Sequence, residues 1–158
     1  VLIALSIGGP VGYAAAVLFV VINALNKTLL FLAAGLRGKL VSAAFIIGAL
    51  SVIGVPPAGG FIGKVALIMT GVEAEGTVTK IAAVSLIFLG GALSFVYMLQ
   101  IYQRRFWAPA SDTGPRSLAA RRYLVYGVAI IVVILGVWPE PILTVSQYAA
   151  DVLPSRLP

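Results

Sequence analysis

Residues 12–35, with the sequence GYAAAVLFVVINALNKTLLFLAAG, decide which kind of fold this chain adopts. The run contains no acidic residue and is interrupted near its middle by Asn23, Asn26 and Lys27. At about 1.5 Å per residue, a helix of this length extends roughly 36 Å, which is enough to cross a hydrocarbon layer of about 30 Å. The stretch therefore predicts a transmembrane helix that carries a lysine well inside the membrane.

Lys27 is the first candidate functional residue. A charged side chain at that depth costs on the order of 2.5 to 3.5 kcal/mol on insertion scales, and such residues usually face a partner or a water-filled cavity. Asn23 lies one helical turn earlier, where its amide can reach the amine. Because burial disfavours the charged form of a lysine, an amine in this place can load and release a proton. The pattern favours a proton-handling site over a plain membrane anchor.

The composition of the whole chain agrees with a membrane protein. Of its 158 residues, 61% are hydrophobic and only 10% are charged. The chain has no cysteine and no histidine, which excludes a disulfide framework, a zinc site and a histidine-based nucleophile. The formal net charge is +6, but five arginines fall between positions 104 and 122, which is typical of membrane topology and not of nucleic-acid binding. We expect no catalytic residue, metal, cofactor or nucleic-acid partner.

The apolar segments predict an all-α polytopic transmembrane helix bundle of about five spans, one of them partial. Residues 1–7 form the partial span, and the turn Gly8-Gly9-Pro10 separates them from the span at 12–35. Residues 108–120 form the longest hydrophilic loop, and the mildly amphipathic residues after 141 are expected to lie along the membrane surface. Further apolar segments lie at 41–54, 61–71, 81–102 and 123–137.

A break rich in glycine and proline, GVPPAGG at 54–60, predicts a discontinuous helix. At membrane depth such a break is tolerated only where it is buried in protein or lines water, and broken helices often build the ion sites of transporters. Lys64 follows the break and is the second candidate relay residue. Two plainer interpretations stay open: Lys64 could snorkel to the interface, and Asn23 and Asn26 could bind neighbouring helices together.

The loops predict an orientation, because successive spans must alternate between the two sides of the membrane. One side then holds 35–40, 72–80 and the C-terminus, with four basic and four acidic residues. The other side holds 54–60 and 104–122, with five basic residues against Asp112. The positive-inside rule places this second side in the cytoplasm. Because the spans contain no Asp or Glu, a carboxylate counter-ion for either lysine has to come from outside them.

Two stretches together carry a family resemblance. NALNKTLLFLAAG at 23–35, followed by GALSVIGVPPAGGFIGK at 48–64, resembles the antiporter-like membrane subunits. This family includes the proton-pumping subunits L, M and N of NADH-quinone oxidoreductase (complex I), related membrane-bound hydrogenases, and the large subunits of Mrp-type sodium/proton antiporters, among which the D-type is the most similar. The resemblance extends over nearly the whole chain and preserves the order and spacing of the motifs.

The resemblance implies a fold, a location and roles for three residues. It implies that residues 1–158 are a single transmembrane domain, the C-terminal part of a larger subunit in the bacterial plasma (inner) membrane. The relay lysine of the tenth span corresponds to Lys27, and that of the discontinuous twelfth span to Lys64. Asn23 stands where the motif usually has a histidine, so this position has lost a group that can titrate. The implied partners are other membrane subunits, the lipid bilayer, protons and possibly sodium.

Three functions follow as hypotheses. The first is a proton-translocating subunit of a monovalent cation/proton antiporter, with the two lysines and Asn23 as relay. The second is a proton-pumping membrane subunit of NADH-quinone oxidoreductase or of a membrane-bound hydrogenase, in which redox partners drive the same path. The third is a structural membrane scaffold, in which both lysines pair with lipid phosphate. No motif in the sequence decides between them.

Overall fold

The computed structural model describes residues 1–73, 76–107 and 118–152, and in these ranges the chain is folded into helices. The predicted all-α bundle is confirmed. Most of the predicted loop at 108–120, together with Glu75, Asp112 and Arg156, lies outside the described residues. The helices are α1 (Leu2–Ile7), α2 (Gly9–Ala34), α3 (Lys39–Ile53), α4 (Gly59–Glu73), α5 (Thr77–Phe106), α6 (Leu118–Val137) and α7 (Glu140–Val152).

Helix α2 is the centre of the bundle, and α1, α3, α4, α6 and α7 all pack against it. It begins three residues earlier than predicted, at Gly9, because Pro10 lies in the first turn, where a missing backbone N–H costs nothing. Leu18, Leu29 and Ala33 are almost fully buried on the packed face. Among the described residues, Gly9–Ala34, Thr77–Phe106 and Ala119–Val137 are long and apolar enough to cross a membrane. The chain is a membrane protein.

Helices α3 and α4 form one interrupted crossing. Residues Val41, Phe45 and Ala49 of α3 share a core cluster with the C-terminal half of α2. Leu67 of α4 packs against Ala15 in the N-terminal half of α2. Each helix has 15 residues, or about 22 Å, so neither spans a layer of about 30 Å alone. The predicted discontinuous helix is confirmed, and the prediction of two separate spans at 41–54 and 61–71 is wrong.

The break between α3 and α4 is closed by backbone and side-chain hydrogen bonds inside the bundle. Gly54 ends α3 in the left-handed conformation, with φ 86°, and its N–H donates to the carbonyl oxygens of Leu50 and Ser51. The buried Ser51 hydroxyl accepts the N–H of Gly60 at 3.0 Å. Because these polar groups are satisfied locally, the break can lie at membrane depth.

One end of the bundle is built from the C-terminus of α2, the start of α3, the end of α5 and the start of α6. Arg105 Nε of α5 donates to the Ala34 carbonyl oxygen at 2.8 Å, and Arg122 Nη2 of α6 donates to that of Arg37 at 3.3 Å. The hydroxyl groups of Ser42 and Tyr102 are 3.1 Å apart. These contacts bring residues 34–42, 102–107 and 118–122 to the same end, which we call the basic end.

This arrangement corrects the predicted orientation. The prediction placed residues 35–40 opposite residues 104–122, because it counted the break at 54–60 as a surface loop. In the structure the six basic residues described there share the basic end: Arg37, Lys39, Arg104, Arg105, Arg121 and Arg122. Lys80 in the first turn of α5 lies at the opposite end. The charge difference between the ends is larger than predicted, and the positive-inside rule assigns the basic end to the cytoplasm.

Helices α6 and α7 are interrupted at the same depth as α3 and α4. Gly136, near the end of α6, lies against the backbone of Pro57 and Ala58 at the first break. Ile142 of α7 packs with Ile22, the midpoint of α2, and α7 then runs along α2 toward Pro10. The expected surface helix is therefore packed on the bundle, with Ser146 and Ala150 also buried.

Candidate functional site

Lys64 lies in the second turn of α4 and reaches back across the break to α3. Its Nζ donates a hydrogen bond to the carbonyl oxygen of Ile53, the last residue of α3. A carbonyl at this position has no N–H partner within its own helix. The C-terminal end of a helix also carries a partial negative charge, which favours a cation there. The end of α3 is thus a backbone acceptor for the Lys64 ammonium group.

Two glycines make room for the Lys64 side chain. A Cβ atom at Gly54 would lie 2.6 Å from Lys64 Cδ, and one at Gly91 would lie 3.0 Å from Nζ. Gly91 belongs to the middle of α5, so three helices converge on this lysine. Within residues 1–73, 76–107 and 118–152, Lys64 forms no ion pair with a carboxylate. The backbone of α3 takes the place of an acidic partner.

A cleft of about 270 Å³ opens beside Lys64, between α2, α4 and α5. Asn23 and Ser94 contribute its other polar side chains, and Phe19 and Leu86 belong to its apolar walls. A liquid water molecule occupies about 30 Å³, so the cleft has space for several. The ammonium group can therefore contact water on one side while it is bound to the backbone on the other.

The site lies near mid-depth in the bundle. Gly63, next to Lys64, packs against Ile22 at the midpoint of α2. Gly91 likewise lies at the middle of the 30-residue helix α5. With a hydrocarbon layer of about 30 Å, this position is roughly 15 Å from either surface. The geometry favours a buried role for Lys64 over snorkelling to the interface.

The structure brings together two of the three predicted relay residues. Asn23 is half-buried and lines the Lys64 cleft. Lys27 is exposed on the outer face of α2 together with Val20 and Phe31, and it does not line the cleft. The neighbouring Asn26 is the residue that points into the core, with 2% of its surface exposed. A relay that joins Lys27 to Lys64 stays a prediction.

Three components of the site were missed by sequence reasoning. The Ile53 carbonyl is a backbone group and leaves no sequence signal. Gly91 has no side chain that could mark it as a site residue, and Ser94 was not predicted as one. Asn26 adds a further finding, because its buried Oδ1 has no hydrogen-bond partner in the described structure. It faces Gly59 and Val132, where the two helix breaks meet.

The described residues contain no group of three or more His, Cys, Asp or Glu side chains that could hold a metal ion. The site chemistry in this part of the chain consists of an amine, an amide, a hydroxyl and backbone carbonyls. Such a set can bind water and pass protons through it. An amine that is bound at a helix end and borders a cleft is suited to that role.

Comparison with known proteins agrees with this architecture. No family model matches the chain. A curated relative, NADH-quinone oxidoreductase subunit M of Pseudomonas aeruginosa, is 30% identical over 96 residues, which is 60% of this chain and 18% of the relative. A solved structure, that of the Mrp complex from Dietzia sp. DQ12-45-1b, contains a chain that superposes with a TM-score of 0.79 at 21% identity, covering 95% of this chain and 39% of that one.

The structural comparison concerns the fold, and the sequence comparison concerns the relation to a curated protein. The structural likeness extends over nearly all of the present chain and establishes the fold, and the sequence likeness links the chain to subunit M. The chain spans less than a fifth of the length of that relative and about two fifths of the matched chain in the Mrp complex. Taken together, these likenesses support a relation to the antiporter-like membrane subunits, over part of their length.

Proposed function

We propose that this chain is the part of a monovalent cation/proton antiporter subunit in which Lys64 loads and releases the transported proton. One observation carries the proposal: at mid-depth, the Lys64 ammonium group is bound to the free end of α3 and borders a cleft. Charged residues inside membranes mark proton and ion paths. Helix ends exposed at a break are a common way to hold the moving cation.

The proposed step is a proton transfer between Lys64 Nζ and water in the cleft. In the charged form, Nζ donates to the Ile53 carbonyl oxygen; in the neutral form, its lone pair accepts a proton from a hydronium ion in the cleft, which leaves a water molecule. Asn23 does not titrate, so its role is to orient that water through hydrogen bonds, in the place where the family motif usually has a histidine. Ser94, whose hydroxyl donates to the Gly90 carbonyl oxygen at 2.7 Å, can accept a second water molecule.

Lys27 is proposed as the second relay group. It is exposed in this chain, near the middle of α2, where contact with lipid would cost several kcal/mol. In the whole protein a further part of the subunit is expected to cover it and to provide a hydrated contact. We propose that residues 1–158 act as one transmembrane domain within such a larger subunit, in the bacterial plasma membrane and beside other membrane subunits.

A second candidate function is proton pumping within NADH-quinone oxidoreductase. The relative named as subunit M of that complex favours it, and the Lys64 site would serve there unchanged. The two candidate functions differ in the partner subunits, which supply the energy for proton transport. Purification of the complete protein with its native partners separates the two: flavin and iron–sulfur subunits indicate the redox complex, and their absence together with cation-dependent proton flux indicates the antiporter.

The test of the proposal is proton flux in vesicles that contain the complete protein with Lys64→Met. Flux should fall at least about 100-fold, since the substitution removes the group that transfers the proton, and Lys64 is the only charged side chain at the break among the described residues. Lys64→Arg should also fail, because a guanidinium group is not deprotonated in proteins. Lys80→Met is the matched control, because Lys80 is an exposed lysine at the end of the bundle. Normal flux with Lys64→Met would refute the proposal and favour the scaffold interpretation.

A further inference from the structure

We propose that Gly91 is a positioning residue for Lys64: its missing side chain allows the ammonium group to stay bound to the Ile53 carbonyl. The inference deepens the proposed function, because it names the element of α5 that fixes the resting place of the relay amine. The positioning itself is a structural claim and can be tested without transport.

The contacts of Gly91 are specific to the lysine site. An ideal Cβ at Gly91 meets Lys64 Nζ at 3.0 Å and the Ile53 carbonyl oxygen at 3.7 Å, and no third contact within 4 Å. A contact of 3.0 Å is closer than Cβ atoms ordinarily come, so one of the two groups has to move. Since Nζ is the far end of a flexible side chain and a Cβ atom is attached to the helix backbone, the lysine is the group that moves.

The neighbouring glycine shows that this is not general helix packing. A Cβ at Gly90 meets nothing within 4 Å in the described structure. Both glycines lie in the interior of the same helix, where alanine is the better helix former. Small residues in membrane helices often allow close backbone contact with another helix. At Gly91 the group in that space is the donor and acceptor pair of the Lys64 site.

The geometry gives the ammonium group two positions. In one it is bound to Ile53, between Gly54 and Gly91; in the other it points into the cleft toward Asn23 and Ser94. A methyl group at position 91 crowds the first position, so that Nζ has to shift by a few tenths of an ångström, and it does not crowd the second. The hydrogen bond to the Ile53 carbonyl oxygen would be weakened, and the amine would be in contact with the water of the cleft for more of the time.

The experiment compares Gly91→Ala with Gly90→Ala in the complete protein in membranes. A water-soluble amine-acylating reagent is applied at fixed pH, and acylation of Lys64 is quantified by mass spectrometry of the peptide. Weakening of one charge-assisted hydrogen bond should raise the labelling rate several-fold, up to about tenfold, in Gly91→Ala. Gly90→Ala should label like the native protein. Equal labelling of the two variants would overturn the proposal.

A double-mutant comparison keeps the test decisive if Gly91→Ala is poorly folded. Thermal stability is measured for Gly91→Ala in the native protein and in the Lys64→Ala background. Without the lysine, position 91 has only the 3.7 Å contact with the Ile53 carbonyl oxygen, so the added methyl group should be tolerated. The same destabilisation in both backgrounds would contradict the proposal, because it would show that Gly91 packs against something other than Lys64.

Failure of the positioning role and failure of the proposed function give different results. If labelling rises in Gly91→Ala but Lys64→Met leaves proton flux intact, Gly91 positions a lysine that does not carry protons. If Lys64→Met abolishes flux but the two alanine variants label alike, the proposed role of Lys64 in proton transfer is supported. The proposed positioning of Lys64 by Gly91 is then refuted.

Discussion

Lys27 and Lys64 look equivalent in the sequence but have very different surroundings in the structure. Each is a single charge in an apolar helix. Lys64 is bound to the end of α3, enclosed by three helices and open to a cleft. Lys27 is on the outer face of α2 and forms no hydrogen bond or ion pair with the described residues. A charged residue inside an apolar helix is therefore a candidate site in both cases. Only the packing of the neighbouring helices shows whether residues 1–158 supply its contacts.

The strongest test of this comparison is Lys27→Met in the complete protein. If Lys27 is completed by another part of the protein, the substitution should abolish proton flux, by about 100-fold or more, because a charge at this depth is retained for function. Assembly of the complex, measured by native gel, should be unchanged. Normal flux with Lys27→Met would show that Lys27 is not part of the relay and would leave Lys64 as its only proposed lysine.

A second test addresses the side chain that connects α2 to the Lys64 cleft. Asn23→Leu should lower proton flux about tenfold, because it replaces the amide that orients cleft water with an apolar group. Ser85→Leu on the exposed face of α5 is the matched control and should leave flux unchanged. Flux assays in vesicles measure both. A normal rate with Asn23→Leu would show that water reaches Lys64 by another path.

The smallest expected effect concerns the break that supports the Lys64 site. Ser51→Ala leaves the buried N–H of Gly60 without its acceptor and should cost about 1 to 3 kcal/mol of stability. Thr144→Ala is the control, since the Thr144 hydroxyl makes only an exposed local bond to the Glu140 carbonyl oxygen. Thermal unfolding in detergent compares them. Equal melting temperatures would mean that a water molecule can replace the Ser51 hydroxyl as the acceptor for the Gly60 N–H, and that water therefore enters the break.

The sequence predicts the fold class well, and the reasons are physical. Long apolar runs have no alternative to crossing the bilayer as helices, so α2, α5 and α6 could be located with small errors at their ends. The GVPPAGG run also identified the interruption before Lys64. Its depth was not predictable, because two apolar segments of 14 and 11 residues fit two short crossings as well as one broken crossing. The packing of α3 and α4 on opposite halves of α2 shows that they form one broken crossing.

The site could be predicted only in part. Lys64 and Asn23 were found because charged and amide side chains inside apolar segments are costly. The direction of Lys27 could not be derived, since it lies 100° around the helix from Asn26, and either residue could have faced the core. The Ile53 carbonyl was also out of reach. Every residue has such a group, and its availability depends on where the helix ends.

Lys64 is rooted in α4, yet its ammonium group is bound to α3. This hydrogen bond therefore joins the two halves of the interrupted helix. If Lys64 loads and releases a proton as proposed, the bond is strongest in the charged form and weakens when the proton leaves. The end of α6 lies beside this break, because a Cβ atom at Gly136 would meet the backbone of Pro57 and Ala58. Under that proposal, a proton transfer at one nitrogen atom changes the contact between the helix halves on either side of the break.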